Sequence, residues 1–152
     1  MATILVVEDE SLLLGLICSV LRLDGHTIIE ASDPLDALAL ANAGRASIDL
    51  VFTDITMKPI SGLELTRRLR QGGIDIPVLF MSGYPSIASA ITVGGQNFTV
   101  LDKPFSAAEL RRTVKTYLTK NCAVPPTSVR AFLRNRAAQP TLPKVSSPGN
   151  SQ

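Results

Sequence analysis

Residues 4–10 read ILVVEDE. Four large apolar residues, Ile4 to Val7, run straight into three acids, Glu8, Asp9 and Glu10. A short run that is apolar at every position fits a strand covered on both faces, as in a parallel sheet. In open parallel sheets ligands bind just beyond the carboxyl ends of the strands. The acids therefore stand where chemistry would be expected, and the residues ending the other strands become the next thing to read.

Four more short apolar runs follow, each bounded by turn formers: Thr27–Glu30, Leu50–Thr53, Val78–Met81 and Phe98–Leu101. Helical patterns separate them. Ser11–Leu23 carries Leu12, Leu13, Leu16, Ile17, Val20 and Leu21 at helical spacing, a broad stripe read as core, and Asp24–Gly25 stops it. Asp33–Pro34 places an acid at a cap and Pro in the first turn of a helix reaching Ala43–Gly44. Ser61–Gly62 opens a third helix through Leu63, Leu65, Leu69 and Arg70, closed by Gly72–Gly73. Tyr84–Val93, ending at Gly94–Gly95, reads as a short fourth helix. Ser106 with Glu109 forms a capping-box pattern before Leu110, Val114 and Leu118. Strand and helix alternate throughout, which predicts an α/β fold: a doubly wound sheet of five parallel strands with helices on both faces.

Composition agrees with one globular domain. The chain has 152 residues, 45% hydrophobic and 18% charged, with no Trp and 5% aromatic content, so Leu, Ile, Val and Ala must build the core. The net charge of +2 is uneven: residues 1–120 hold 11 basic against 13 acidic groups, and residues 121–152 hold Arg130, Arg134, Arg136 and Lys144 with no acid. The reading is a domain over 1–120 and a flexible basic tail rich in Pro and Ser over 121–152, with Ser128–Ala138 able to form one short helix. Four charges on that tail would give only weak, salt-sensitive contact with DNA, so no specific nucleic acid is expected. Cys18 and Cys122 are expected reduced in a cytoplasmic protein, and neither a secretory leader nor a membrane span is expected.

Four of the five strand ends carry a chemically able residue. Glu8 and Asp9 follow the first strand, Asp54 the third (VFTDITM), Ser82 the fourth (LFMSGY) and Lys103 the fifth (VLDKPF). A parallel sheet brings all of them to one edge. Three carboxylates together repel unless a cation sits among them, and oxygen ligands favour a hard ion such as Mg²⁺. A carboxylate can also be a nucleophile that takes up a phosphoryl group. Phosphoryl transfer needs charge neutralisation and alignment, which a metal and Lys103 would supply, while Ser82 would hydrogen-bond a phosphoryl oxygen. Read singly, Glu8–Glu10 would be an ordinary acidic helix start, Asp54 a turn residue, Ser82 a helix cap and Lys103 a surface lysine. Their joint register argues otherwise.

ILVVEDE, TDITM with SGLEL, MSGY and LDKPF, in that order and spacing, resemble the receiver domain of two-component response regulators over residues 3–120. The resemblance implies a flavodoxin-like sheet of order 2-1-3-4-5. It implies that Asp54 accepts a phosphoryl group from a histidine kinase or histidine phosphotransfer protein. Mg²⁺ would be held by Glu8, Asp9, Asp54 and the backbone carbonyl of Thr56, with Ser82 and Lys103 sensing the phosphoryl group. It also implies a cis Lys103–Pro104 bond. The chain would then be a regulatory phospho-acceptor rather than an enzyme, catalysing only its own phosphotransfer and dephosphorylation. It would be a monomer or weak dimer, stand-alone or associated with a hybrid kinase. It would signal to a downstream protein through the fourth helix, fifth strand and fifth helix. Two positions depart from the family pattern: Lys58 stands where Pro is usual, and Val100 where an aromatic switch residue is usual, with Phe98 nearby. The rival readings are a pseudo-receiver acting only as an interaction module, and a Mg²⁺-dependent phosphohydrolase. The latter usually wants an acid where Thr56 stands.

Overall fold

A computed structural model describes residues 1–84 and 90–121. Five parallel strands carry the sheet: β1 (Thr3–Val7), β2 (Thr27–Ala31), β3 (Leu50–Asp54), β4 (Val78–Ser82) and β6 (Gln96–Asp102). A further strand, β5 (Ala90–Val93), pairs antiparallel with β6 at the edge. The order is β2-β1-β3-β4-β6-β5. Four helices flank it: α1 (Ser11–Leu23), α2 (Pro34–Gly44), α3 (Gly62–Gln71) and α4 (Ala107–Asn121). The parallel part has the expected 2-1-3-4-5 arrangement, with β6 as its fifth strand.

Successive strand residues face opposite ways, and this explains the unbroken apolar runs. Ile4, Val6, Leu50, Phe52, Leu79 and Met81 pack with α1 and α4 on one face. Leu5, Val7, Val51, Val78 and Phe80 pack with α2 and α3 on the other. The helix starts are capped much as their residues suggest. Asp33 accepts from the Leu35 amide at 2.7 Å, and Ser61 Oγ from the Glu64 amide at 3.1 Å. Ser106 and Glu109 exchange the two bonds of a capping box, at 2.7 and 3.1 Å. At the far end of α4, the Tyr117 hydroxyl donates to the Val78 carbonyl at 2.7 Å and ties the helix to the start of β4.

Two expectations are corrected. The fourth helix expected over Tyr84–Val93 is absent where the structure describes it: Ala90–Val93 is β5, and residues 85–89 lie outside the described residues. Gly94 and Gly95 do not end a helix. With φ of 57° and 80° they form the two-residue turn of a hairpin, in which Val93 faces Gln96 and Ile91 faces Phe98. The output surface expected on the fourth helix therefore has a hairpin in that part of the chain. Second, the α1 stripe is not all core. Leu12 is 83% and Leu16 62% exposed, while Leu14, Ile17, Cys18, Val20 and Leu21 are buried. The helix has more apolar residues than one buried face can take, and packing against β1 and α4 selects the face centred on Ile17 and Leu21. The tail expected over 121–152 falls, from residue 122 on, outside the described residues, and so do the short helix read at 128–138 and Cys122.

Candidate phosphoryl and metal site

The carboxyl ends of β1, β3, β4 and β6 meet at one edge. Asp54 closes β3, where it pairs with Met81, and Ser82 closes β4 opposite Asp102. The loop after Asp54 folds back at once: the Gly62 amide donates to the Ile55 carbonyl at 2.8 Å, and the Ile55 amide to the Met81 carbonyl at 3.0 Å. β6 delivers Lys103, whose amide donates to the Ser82 carbonyl at 2.7 Å. The Lys103–Pro104 bond is cis, as is Lys58–Pro59.

Carboxylate oxygens of Glu8, Asp9 and Asp54 lie within 4.8 Å of one another. Glu8 and Asp54 are buried, 1% and 6% exposed, and Asp9 is exposed. The Lys103 ammonium sits between the two buried acids, donating to Glu8 Oε2 at 2.8 Å and to Asp54 Oδ2 at 3.1 Å. Glu8 is further held by the Glu10 amide, which donates to Oε1 at 3.1 Å. The Thr56 amide donates to Asp54 Oδ1 at 3.4 Å, a long bond that fixes that oxygen only loosely. Ser82 Oγ, also buried, accepts from the Tyr84 amide at 3.1 Å, which leaves its hydroxyl hydrogen to donate elsewhere.

The charges fit this geometry. Burial pushes the Glu8 carboxyl above its usual range, against the lowering effect of the Lys103 hydrogen bond. Burial alone would lower the Lys103 ammonium, but its bonds to Glu8 and Asp54 outweigh that and hold it above its ordinary value. The lysine is a firm cation between two buried carboxyl groups, with the exposed Asp9 carboxyl beside them. Three carboxylates in reach of one point, with one open to solvent, make a donor set suited to a hard divalent ion that keeps some of its water.

All the candidate residues except Thr56 were singled out from the sequence by their places after strands. Lys103 pairing with Glu8 as well as Asp54 was not, since Glu8 is 95 residues from it along the chain. Nor was the contact of Gly62 with the Asp54 backbone. A Cβ at Gly62 would lie 2.1 Å from the Asp54 carbonyl oxygen. The one hint in the sequence is a glycine placed where a better helix former would serve.

The family model described as response regulator receiver domain matches residues 4–115. Sensor kinase CckA of Brucella abortus is 36% identical over 120 residues, covering 78% of this chain and 13% of the kinase. The probable transcriptional regulatory protein TcrX of Mycobacterium tuberculosis is 33% identical over 111 residues, 71% of this chain and 46% of that protein. The chain thus spans less than half the length of these two curated relatives. Among solved structures, the receiver domain from hybrid histidine kinase CckA superposes with a TM-score of 0.64 at 34% identity, covering 76% of this chain and 98% of that one. The response regulator TrrA of Thermotoga maritima, solved with Mg²⁺ and BeF, gives 0.66 at 31% identity over 77% and 99% of the two chains. The matched region runs through β1, β3, β4 and β6 and the acids and lysine at their ends, and the chain belongs to the response regulator receiver domain family.

Proposed function

We propose that Asp54 is a phospho-acceptor, taking a phosphoryl group from a phosphohistidine on a histidine kinase or phosphotransfer protein. The observation that carries this is the acid cluster at the sheet edge, in which Lys103 bridges Asp54 and Glu8. An Asp54 carboxylate oxygen attacks phosphorus, a P–O bond forms and the P–N bond to the imidazole breaks. The departing imidazole takes up a proton from solvent. Glu8, Asp9, Asp54 and the Thr56 carbonyl are the residues that would hold Mg²⁺. Bound there, the metal would supply positive charge to the phosphoryl oxygens.

The chain's own groups do the rest. Lys103 already lies 3.1 Å from Asp54 Oδ2, so it can follow the added charge onto a phosphoryl oxygen. The Ser82 hydroxyl, whose hydrogen is not used in the bond from the Tyr84 amide, would donate to another. Both pulls act on neighbouring strand ends, because the Lys103 amide is bonded to the Ser82 carbonyl at 2.7 Å. Moving them would bias the β5–β6 hairpin and α4, which follow on either side. Leu12 and Leu16, exposed on the α1 turns that follow Asp9, offer apolar surface beside the site for a donor to rest on.

Thr56, where a phosphohydrolase would want an acid, supports acceptance over turnover. We read the residues 1–120 as the unit that performs this reaction, with its effect passed on by contact with a downstream protein. The test is incubation with acetyl phosphate and Mg²⁺, read by intact mass. One added phosphate (about 80 Da) on the parent chain and none on Asp54→Asn is expected. Equal uptake by the variant would overturn the assignment.

A further inference from the structure

A second concavity lies away from the acid cluster, between the end of α1 and the outer face of α4. It encloses about 690 Å³, within the roughly 300–1,000 Å³ of small-molecule sites. Arg111, Arg112 and Lys115 line it from α4, with Leu118 giving an apolar wall; Asp24 and His26 close it from the turn after α1. The α4 residues repeat every three or four positions, so they form one stripe along the helix.

The charge is not spread evenly over this groove. Asp24 Oδ1 takes Arg111 Nε at 3.1 Å, pinning that guanidinium across the gap between the two helices. Arg112 and Lys115 have no carboxylate within 4.0 Å among the described residues. His26 Nδ1 accepts the Ala2 amide at 3.2 Å, so a neutral ring carries its hydrogen on Nε2 and has a donor to offer. Three cations against one acid is a local excess in a domain that, over residues 1–120, has 11 basic and 13 acidic groups.

We propose that this groove binds a small organic phosphate, its phosphate held by Arg112 and Lys115 and its body lying along Leu118. Guanidinium and ammonium groups together suit phosphate oxygens. The concavity, and an acid already seated in it, favour a compact ligand over a long polyanion such as DNA, which would cross Asp24. The groove is distinct from the Asp54 site, and the inference does not depend on that reading.

The full chain is titrated with ATP in magnesium-free buffer and followed by ¹H–¹⁵N amide spectra. Saturable shifts centred on Asp24, His26 and residues 108–119 are expected. Arg112→Glu/Lys115→Glu should weaken them by about tenfold or more, the loss of one charge-assisted hydrogen bond or more. Arg112→Lys/Lys115→Arg should keep most of the affinity, and Asp54 phosphorylation by acetyl phosphate should be unchanged in both. Shifts that never saturate, or that survive the charge reversal, would overturn the proposal. So would a DNA duplex that shifts the same amides at lower concentration than ATP. A thermal melt of each variant separates lost binding from lost folding; these side chains are exposed and should melt as the parent does.

Discussion

Gly62→Ala is a small change with a large expected effect. A Cβ there would meet the Asp54 carbonyl oxygen at 2.1 Å, the Asp54 carbonyl carbon at 3.1 Å and the Ile55 Cα at 3.2 Å. Real Cβ contacts essentially never fall under 3.0 Å, so something must shift by at least 0.9 Å (3.0 − 2.1). All three atoms are backbone at the end of β3 or one residue past it; β3 is buried, and Asp54 itself is paired to Met81 of β4, the β1 pairing ending at Thr53. No rotamer change relieves the clash. Overpacking of this kind costs about 1–3 kcal/mol, and rigid backbone puts the expectation near ~3 kcal/mol. At roughly 3–5 °C per kcal/mol for a domain of this size, the melting temperature should fall by about 10 °C. The moved atoms carry Asp54, so phosphate uptake from acetyl phosphate should slow as well. Gly15→Ala is the control: nothing lies within 4 Å of its Cβ inside α1, and it should stabilise by about 0.5–1 kcal/mol. Circular dichroism melts and intact-mass time courses on the three proteins decide it. If Gly62→Ala melts within about 2 °C of the parent and takes up phosphate as fast, the tight loop after Asp54 has been misjudged.

Lys103→Met leaves Glu8 and Asp54 facing each other without their shared cation, and should cost about 1–3 kcal/mol at neutral pH, partly restored by added Mg²⁺; urea melts with and without the metal check both. Because folding raises the Lys103 ammonium above its ordinary 10.5, its stabilisation is fully present below that pH. The gap between parent and variant should therefore hold through neutral pH and close as pH rises above 10.5. Glu64 behaves oppositely. Hydrogen bonds from Arg67 and Arg68 lower its carboxyl from 4.5 to about 2, so its contribution is present above 4.5 and lost as pH falls toward about 2. The difference between parent and Glu64→Gln should shrink over that window in acid titrations. Phe98→Ala removes a ring packed edge-on to Phe80 at 5.5 Å and covered by the Arg70 guanidinium at 5.6 Å. It should cost about 3–5 kcal/mol in urea melts, whereas Thr92→Ala on the exposed side of the hairpin should stay within about 0.5 kcal/mol.

The hairpin also shows where reading along the chain falls short. Residues 91–93 are β-branched, a signal for a strand, but four residues are too few to separate a period of 2 from one of 3.6. Gly94–Gly95 can stop a helix or turn a hairpin. Which of these it does depends on whether Ile91 finds Phe98 across the turn and whether the pair finds the core under Arg70, which also donates at 2.8 Å to the carbonyls of Ile74 and Ile76. Those contacts are tertiary. The same holds for α1, where six stripe residues were all candidates for burial and packing left Leu12 and Leu16 outside.

The sheet and the candidate residues at its edge were legible for a physical reason. A strand buried on both faces is apolar at nearly every position, so Ile4–Val7, Leu50–Thr53 and Val78–Met81 announce themselves, and crossover connections between parallel strands then send every strand's carboxyl end to the same side. Any ionisable residue just past such a run is delivered to one edge whatever the distances along the chain. What the chain alone leaves open is how those groups pair once they arrive. A Lys103 ammonium shared between Glu8 and Asp54, a backbone that admits only glycine at 62, and a groove of arginines across from Asp24 depend on ångström distances between segments far apart in sequence. Only packing of the whole domain sets those distances.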